Sequence, residues 1–282
     1  MPLAIDHVTI AGSSLPALQQ AFATAGLATD YGGPHSNGLT HMSLLGFDDG
    51  SYIELISTLQ AGPANTVFWG QHIAGDAGPC AWAVQVADVA REAARVAALG
   101  VQVDGPRYFN RRRPDQTLVE WDLAFLGDKS AGATLPFIIK DITPRHLRVQ
   151  PSASVTGGPL RGVAGVVLGV ANPTAAGELF RRVYGWPAPL EYIDPDFEAR
   201  LFHFAGTPVT LAAPPESGSW LAARLHQFDD SPCAYLLGAA DFAAACRQFN
   251  LLPAGDWFGR PLAWFNRRQL NGLRLGVIEL TP

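Results

Sequence analysis

The residues equipped for chemistry gather in the first half of the sequence, on stretches with the two-residue period of a β-strand. In residues 51–57, Tyr52 and Glu54 alternate with Ile53 and Leu55, so a carboxylate and a phenol share one face and the apolar pair takes the other. In residues 117–126, Val119, Trp121, Leu123 and Phe125 form one face, and Glu120 and Asp122 the opposite one. Carboxylates on a strand face serve as general bases where that face lines a pocket. Where it does not, they make a solvated sheet edge, and the sequence leaves both open. Just upstream, Arg107, Arg111 and Arg113 offer guanidinium groups able to hold a substrate carboxylate or phosphate through paired hydrogen bonds. Arg111 and Arg112 recur as Arg267 and Arg268, which points to a structural duty for that pair and leaves ligand contact to Arg107 and Arg113. Tyr52, Trp69, Trp82 and Phe137 supply aromatic surface for an apolar pocket.

These residues need elements to position them, and the composition says which kind. A chain of 282 residues favours two domains over one. Its 48% hydrophobic content suffices for two cores, and 29 Gly with 22 Pro imply many short elements joined by turns. No segment approaches ~18 uninterrupted apolar residues, so no membrane span is expected. A net charge of −5, with Arg111 to Arg113 as the one basic run, argues against a nucleic-acid surface. Asp6 and His7 stand where a signal peptide would need an apolar core. Cys80, Cys233 and Cys246 have no metal-type spacing. The expectation is an unexported, cytoplasmic protein without disulfides.

The sequence repeats itself. PCAWAVQVAD at 79–88 returns as PCAYLLGAAD at 232–241, and FNRR at 109–112 returns at 265–268. IDHVTIAGSSLPALQQAFATAGL at 5–27 aligns more weakly with VAGVVLGVANPTAAGELFRRVYGW at 163–186. Each copy reads as an apolar strand, a cap at Ser14 or Asn172, a helix, and a closing glycine at Gly26 or Gly185. Within each half the unit recurs, strand 3–10 and helix 14–25 resembling strand 80–87 and helix 88–99, with Asp88 as cap and Gly100 at the end. Strands follow at 40–47, 51–57, 117–126 and 135–141. The unit is β-α-β-β with a further strand. Residues 147–162, rich in Ser, Gly and Pro, read as the connection, giving domains at 1–150 and 163–282 with a linker at 151–162.

Paired β-α-β-β-β modules, the opening IDHVTIAG strand and the GSYIELIS strand resemble the glyoxalase-like branch of the vicinal-oxygen-chelate superfamily. GGPH at 32–35, RRRPDQTLVEWDLAF at 111–125 and LPFIIKD at 135–141 extend the resemblance over the whole chain. It implies an α+β fold of four modules paired into two domains with cup-shaped mixed sheets. It also implies a small-molecule substrate or ligand, a divalent metal in many members, and a fold that admits a homodimer. Activities range from isomerisation to ring-opening oxygenation and drug sequestration, so the fold alone does not fix function.

The superfamily draws ligands from the first and last strands of a module, and the matching residues here are His7 and Glu54. With a two-residue loop at Asp49–Gly50, Glu54 faces Leu45 and shares its side with Ser43 and His41. His41 then joins His7 and Glu54 as third ligand for Fe, Mn, Ni or Zn. A three-residue turn sends His41 the other way. His35 is a further candidate as ligand, acid–base group or substrate contact, though a loop histidine is more often exposed. The second module offers Ala81 for His7 and Ile138 to Lys140 for the carboxylate. In the second domain Gly165 replaces His7 and Thr210 replaces Glu54, so that copy reads as degenerate, a scaffold or dimer surface. Two functions follow: a metal-dependent lyase, isomerase or oxygenase with Glu54, Glu120 or Asp122 moving a proton, or a metal-free binding or resistance-type protein.

Overall fold

The computed structural model describes residues 3–60, 67–128 and 131–280. Its strands form two eight-stranded, curled half-barrel sheets. The first sheet contains β1 (Ile5–Ala11), β2 (Asp30–Pro34), β3 (Thr40–Gly46), β4 (Tyr52–Thr58), β5 (Gly78–Gln85), β6 (Val103–Arg112), β7 (Leu118–Leu126) and β8 (Phe137–Asp141), in the order β2-β3-β4-β1-β5-β8-β7-β6. β1 runs parallel to β4 and β5 parallel to β8, while β1 and β5 meet antiparallel at the centre. The second sheet repeats the plan from β9 (Leu160–Gly169) and β13 (Ser231–Ala239) at its centre out to β10 (Leu190–Asp194) and β14 (Leu252–Asp256) at its edges.

Each module's helix begins the same way, for the same reason. α1 (Leu15–Thr24), α3 (Val89–Ala98), α5 (Pro173–Tyr184) and α7 (Phe242–Gln248) start on Ser14, Asp88, Asn172 and Asp241. Each cap's side-chain oxygen accepts a backbone N–H three residues on, satisfying a donor the helix cannot. The sheets pack back to back against these helices. Val8, Ile10, Ile53 and Leu55 from one and Val166, Leu168, Leu211 and Leu237 from the other belong to a single buried core. Trp82 turns into that core rather than into a pocket, 6.5 Å from the Phe180 ring of α5. Tyr235 crosses the seam, its hydroxyl donating to the Thr9 and Ala81 carbonyls of the first sheet at 2.9 and 2.7 Å.

A short helix, α4 (Arg145–Arg148), follows β8 and carries a buried polar network. Asp6, fully buried, accepts from Arg148 at 2.9 and 2.8 Å and also from Arg145. Arg148 in turn donates to Asp141 and, at 2.7 Å, to the Tyr52 hydroxyl, joining β1, β4 and β8. Burial alone would push the Asp6 carboxyl up, but Arg148 and then His7 outweigh it and hold it well below the usual carboxylate range. The segment expected as linker packs on the same sheet. Ser152 exchanges hydrogen bonds with the Gly46 backbone, and a β-carbon at Gly46 would fall 2.1 Å from the Gln150 carbonyl.

Removing one partner of a buried pair leaves the other charge uncompensated, at a cost of about 3–5 kcal/mol. Arg148→Met is therefore expected to lower the unfolding free energy in urea by that amount, and a loss under ~1 kcal/mol would show that the network adds little. Since the folded-state pKa of Asp6 lies below its unfolded value of 3.8, its contribution is present above that pH and is lost as pH falls through the folded value. Asp6→Asn should accordingly flatten the acid limb of the stability–pH curve.

Candidate functional site

The concave side of the first sheet forms an open-mouthed cavity of about 150 Å³. Its two walls differ because strand alternation brings up different residues in the two modules. β1 and β4 contribute His7, Tyr52, Glu54 and Ile56, with Ile53 and Leu55 turned to the core as their alternation requires. β7 and β8 contribute Trp121, Leu123, Phe125, Phe137 and Ile139, and Trp69 and Phe109 complete an aromatic wall. The pairing of β1 with β4 and of β5 with β8 fixes equivalences: Ala83 stands for His7, Phe137 for Tyr52 and Ile139 for Glu54. Helix caps alone had suggested Ala81. The shift of two residues preserves the facing and the alanine, so the second module carries no donor at either place.

His7 is held on three sides. Its Nδ1 donates to Asp6 at 2.6 Å, its ring stacks on Tyr52 at 4.6 Å, and Phe137 meets it edge-on at 5.2 Å. That leaves Nε2 without a hydrogen-bond partner among the described residues. Glu54 is buried, with Oε1 at 3.8 Å from Nε2 of His35. This is too long for a hydrogen bond but close enough for charge to be felt. His35 Nδ1 shares a 2.8 Å hydrogen bond with Thr40 Oγ1. Burial lowers the His35 pKa; Glu54 pulls it back up, and Arg111 pushes it down again. The net lowering favours the uncharged imidazole of His35 beside Glu54.

The structure gathers His7, His35, Tyr52 and Glu54 in the cup with Trp69 and Phe137, and leaves His41, Arg107, Arg113, Glu120 and Asp122 outside it. His41 pairs with Ser57, and Glu54 with Leu44 rather than Leu45, because Phe47 N donates to Ser51 O across a three-residue turn. The cup face of β3 is then Thr40, Met42 and Leu44, and His41 lies against Tyr31 at 6.0 Å on the other side. Glu120 and Asp122 are likewise excluded, since Trp121, Leu123 and Phe125 occupy the inner face of β7. Glu120 instead accepts from the exposed Tyr108 hydroxyl at 2.7 Å. Arg107 pairs with Asp104 at the sheet edge at 2.7 Å, and Arg113 donates to the Leu147 carbonyl at 3.1 Å. Two arginines do reach the cup: Arg148, and Arg111, which lines it while donating to the Gly32 and Arg148 carbonyls at 2.7 and 2.8 Å. Asp6, Asp141, Arg145 and Arg148 were not singled out from the sequence, and only the adjacency of Asp6 to His7 signalled any of them.

A divalent ion of the kind the fold accommodates needs three or four convergent donors. The cup offers His7 and Glu54 on one wall, Ala83 and Ile139 at the equivalent places on the other, and His35 already beside Glu54. Among the described residues no group of three His, Cys, Asp or Glu side chains is placed to hold a metal. The donor set therefore does not fit a metal of the family type.

Among the described residues the second sheet is filled where the first is open. Val167, Ala212, Ala234 and Leu236 on its concave face are covered by its own Phe197 and Trp257. His203, at 3.0 Å from Thr210 Oγ1 and stacked on Phe258 at 4.5 Å, has become packing.

The electrostatics of the cup make a prediction. Because the Glu54 charge opposes the lowering of His35, Glu54→Gln should drive the His35 pKa further down in an NMR titration of its ring protons. An unchanged midpoint would mean that the two groups do not sense each other.

Comparison with known proteins agrees with this architecture. A family model for the glyoxalase-like domain matches residues 5–184. A hypothetical protein from Staphylococcus aureus is similar over 99% of this chain and 100% of its own, with a TM-score of 0.63 and 12% identity. A mutant 4-hydroxymandelate synthase from Streptomyces coelicolor is similar over 99% of this chain and 92% of its own, with a TM-score of 0.60 and 12% identity. Methylmalonyl-CoA epimerase from Mycobacterium tuberculosis covers 49% of this chain with 97% of its own, at a TM-score of 0.39 and 19% identity. No curated protein matches the sequence. No helix among the described residues is long and apolar enough to cross a membrane. A family match over more than half of the length, together with the strand order of both sheets, shows that this chain belongs to the glyoxalase-like domain family of the vicinal-oxygen-chelate superfamily.

Proposed function

We propose that the N-terminal cup binds a small molecule with a flat apolar body and one polar end, and that Glu54 and His35 exchange a proton with that end without a family-type metal. The observation that carries this reading is the asymmetry of the cup, with His7, His35 and Glu54 facing Trp69, Phe109, Trp121 and Phe137. An aromatic wall supplies affinity for a planar ligand. A buried carboxylate beside a neutral imidazole supplies a base and a relay. Asp6, by occupying Nδ1, fixes the His7 tautomer and presents Nε2 as an acceptor for a ligand hydroxyl.

A metal-dependent lyase, isomerase or oxygenase is the second reading, and one observation favours it: a carboxylate on the far nitrogen is how metal-binding histidines are commonly oriented. Three measurements test the readings. Mono- and bicyclic phenols and ketones should quench tryptophan fluorescence, and Trp121→Ala should weaken their binding about tenfold. Ligands with an acidic C–H should exchange it for deuterium in D2O, at a rate reduced about 10²–10⁴-fold in Glu54→Gln. Exchange that survives that substitution would remove Glu54 from the chemistry. In calorimetric titrations with Mn, Fe, Ni or Zn, no one-to-one site is expected; a stoichiometric ion lost in His7→Ala would establish the metal reading instead.

A further inference from the structure

Where the two halves meet, a second pocket opens that shares no residue with the cup. It is lined by Asp76 and Pro79 of the first half and by Arg224, Arg267 and Arg274 of the second. Three guanidinium groups around one pocket call for a counter-charge, and the described residues supply it only at a distance: Asp194 and Glu198 raise the Arg274 pKa but form no ion pair with it. Asp76 is the one acid in the lining, and its carboxylate already accepts from Ser13 N at 2.7 Å and Ser13 Oγ at 3.1 Å.

Arg274 is the telling residue. Only 7% of it is exposed, and it lies with its guanidinium 3.9 Å from the centre of the Trp220 ring and 5.0 Å from that of Phe197. Its Nη2 is buried without a hydrogen-bond partner, and it forms no ion pair among the described residues. Aromatic faces steady a cation but do not neutralise it. Burial pulls its pKa down to about 10, with Arg267 adding to the effect. A buried, unpaired donor on a full positive charge is costly, so a fold that keeps one generally has a partner for it.

Its neighbours point the same way. Arg224 spends its terminal nitrogens on the carbonyls of Ala77, Pro79 and Pro232, and its Nε is buried without a partner. Arg267 is exposed, and its side chain makes no hydrogen bond or ion pair among the described residues. The matching FNRR tetrapeptide of the first half lies elsewhere in its sheet, within β6, whereas Arg267 lies in the loop before the last strand, so its place at this pocket belongs to the second half alone.

We infer that this seam pocket binds an oxyanion of the phosphate class, with Arg274 and Arg267 as direct donors and Arg224 adding a third positive charge. Guanidinium groups suit such a ligand because their parallel N–H groups match paired oxygens. The bound anion would bridge the turn at 75–79 and the loop before β16 (Leu275–Glu279), fastening one half to the other.

The test is calorimetry and thermal unfolding of the full chain with inorganic phosphate, ionic strength held constant with sodium chloride. One phosphate per chain with a Kd below about 1 mM and a rise in Tm are expected. Phenyl phosphate run in parallel tells the sources apart, tighter binding marking an organic phosphate and weaker binding marking free phosphate, and either supports the site. Arg267→Gln, at an exposed position that folding tolerates, should weaken binding at least about tenfold. Arg274→Gln should abolish it. Equal stabilisation by chloride alone, no detectable phosphate binding, or binding unchanged in Arg267→Gln would overturn the inference.

Discussion

Asp6 is a carboxylate with no access to water, and the first half of the molecule is arranged around keeping it charged. Arg148 meets it with two nitrogens, Arg145 with a third, and His7 with Nδ1. A charge so buried is tolerable only if every neighbour stays in place. That requirement fixes α4 against the sheet, draws Tyr52 to Arg148, and through the Arg148 carbonyl anchors Arg111 of β6. The cup floor is therefore set by electrostatics, and its walls by strand alternation.

Duplication explains why four similar modules have four different contents. The backbone plan and the helix caps are retained in every copy, because losing an N-cap costs about 1 kcal/mol wherever it happens. The side chains on the concave faces are under no such rule. The first module keeps His7 and Glu54; the second substitutes Ala83 and Ile139 and becomes an aromatic wall. The third and fourth close over their own Phe197 and Trp257. One polar wall against one apolar wall is what allows a single ligand to be both gripped and acted upon.

What could be read from the sequence follows the same division between local and distant effects. Caps, strand periods and the repeat are local, and they mark β1, β3, β4, β5, β7 and β8 of the first sheet to within two residues. The face on which Glu54 lies was legible for that reason. His41 was not, because one extra turn residue between β3 and β4 reverses every side chain on the partner strand. For β7 the alternation was right, but period alone does not say which face is inside, and the four apolar residues claimed the interior from Glu120 and Asp122. Arg148 was beyond reach altogether. It lies 142 residues from Asp6, in a stretch whose Ser, Gly and Pro content reads as linker.

Asp6 has one consequence that reaches function. The carboxylate that stabilises the fold is the same one that sets the tautomer of His7, so one atom, Oδ1, serves both the ion network and the site. Substitutions in the network thus alter the proton-accepting character of the cup even where the protein stays folded. The second half has no such coupling, since its concave face is apolar and closed. It can absorb packing changes and pass their benefit to the first half through the common core, where Trp82 and Phe180 meet and Tyr235 holds two carbonyls of the opposite sheet. A chain that must keep a buried polar site gains from carrying a second copy relieved of that duty, and the retention of the filled half is intelligible on stability grounds alone.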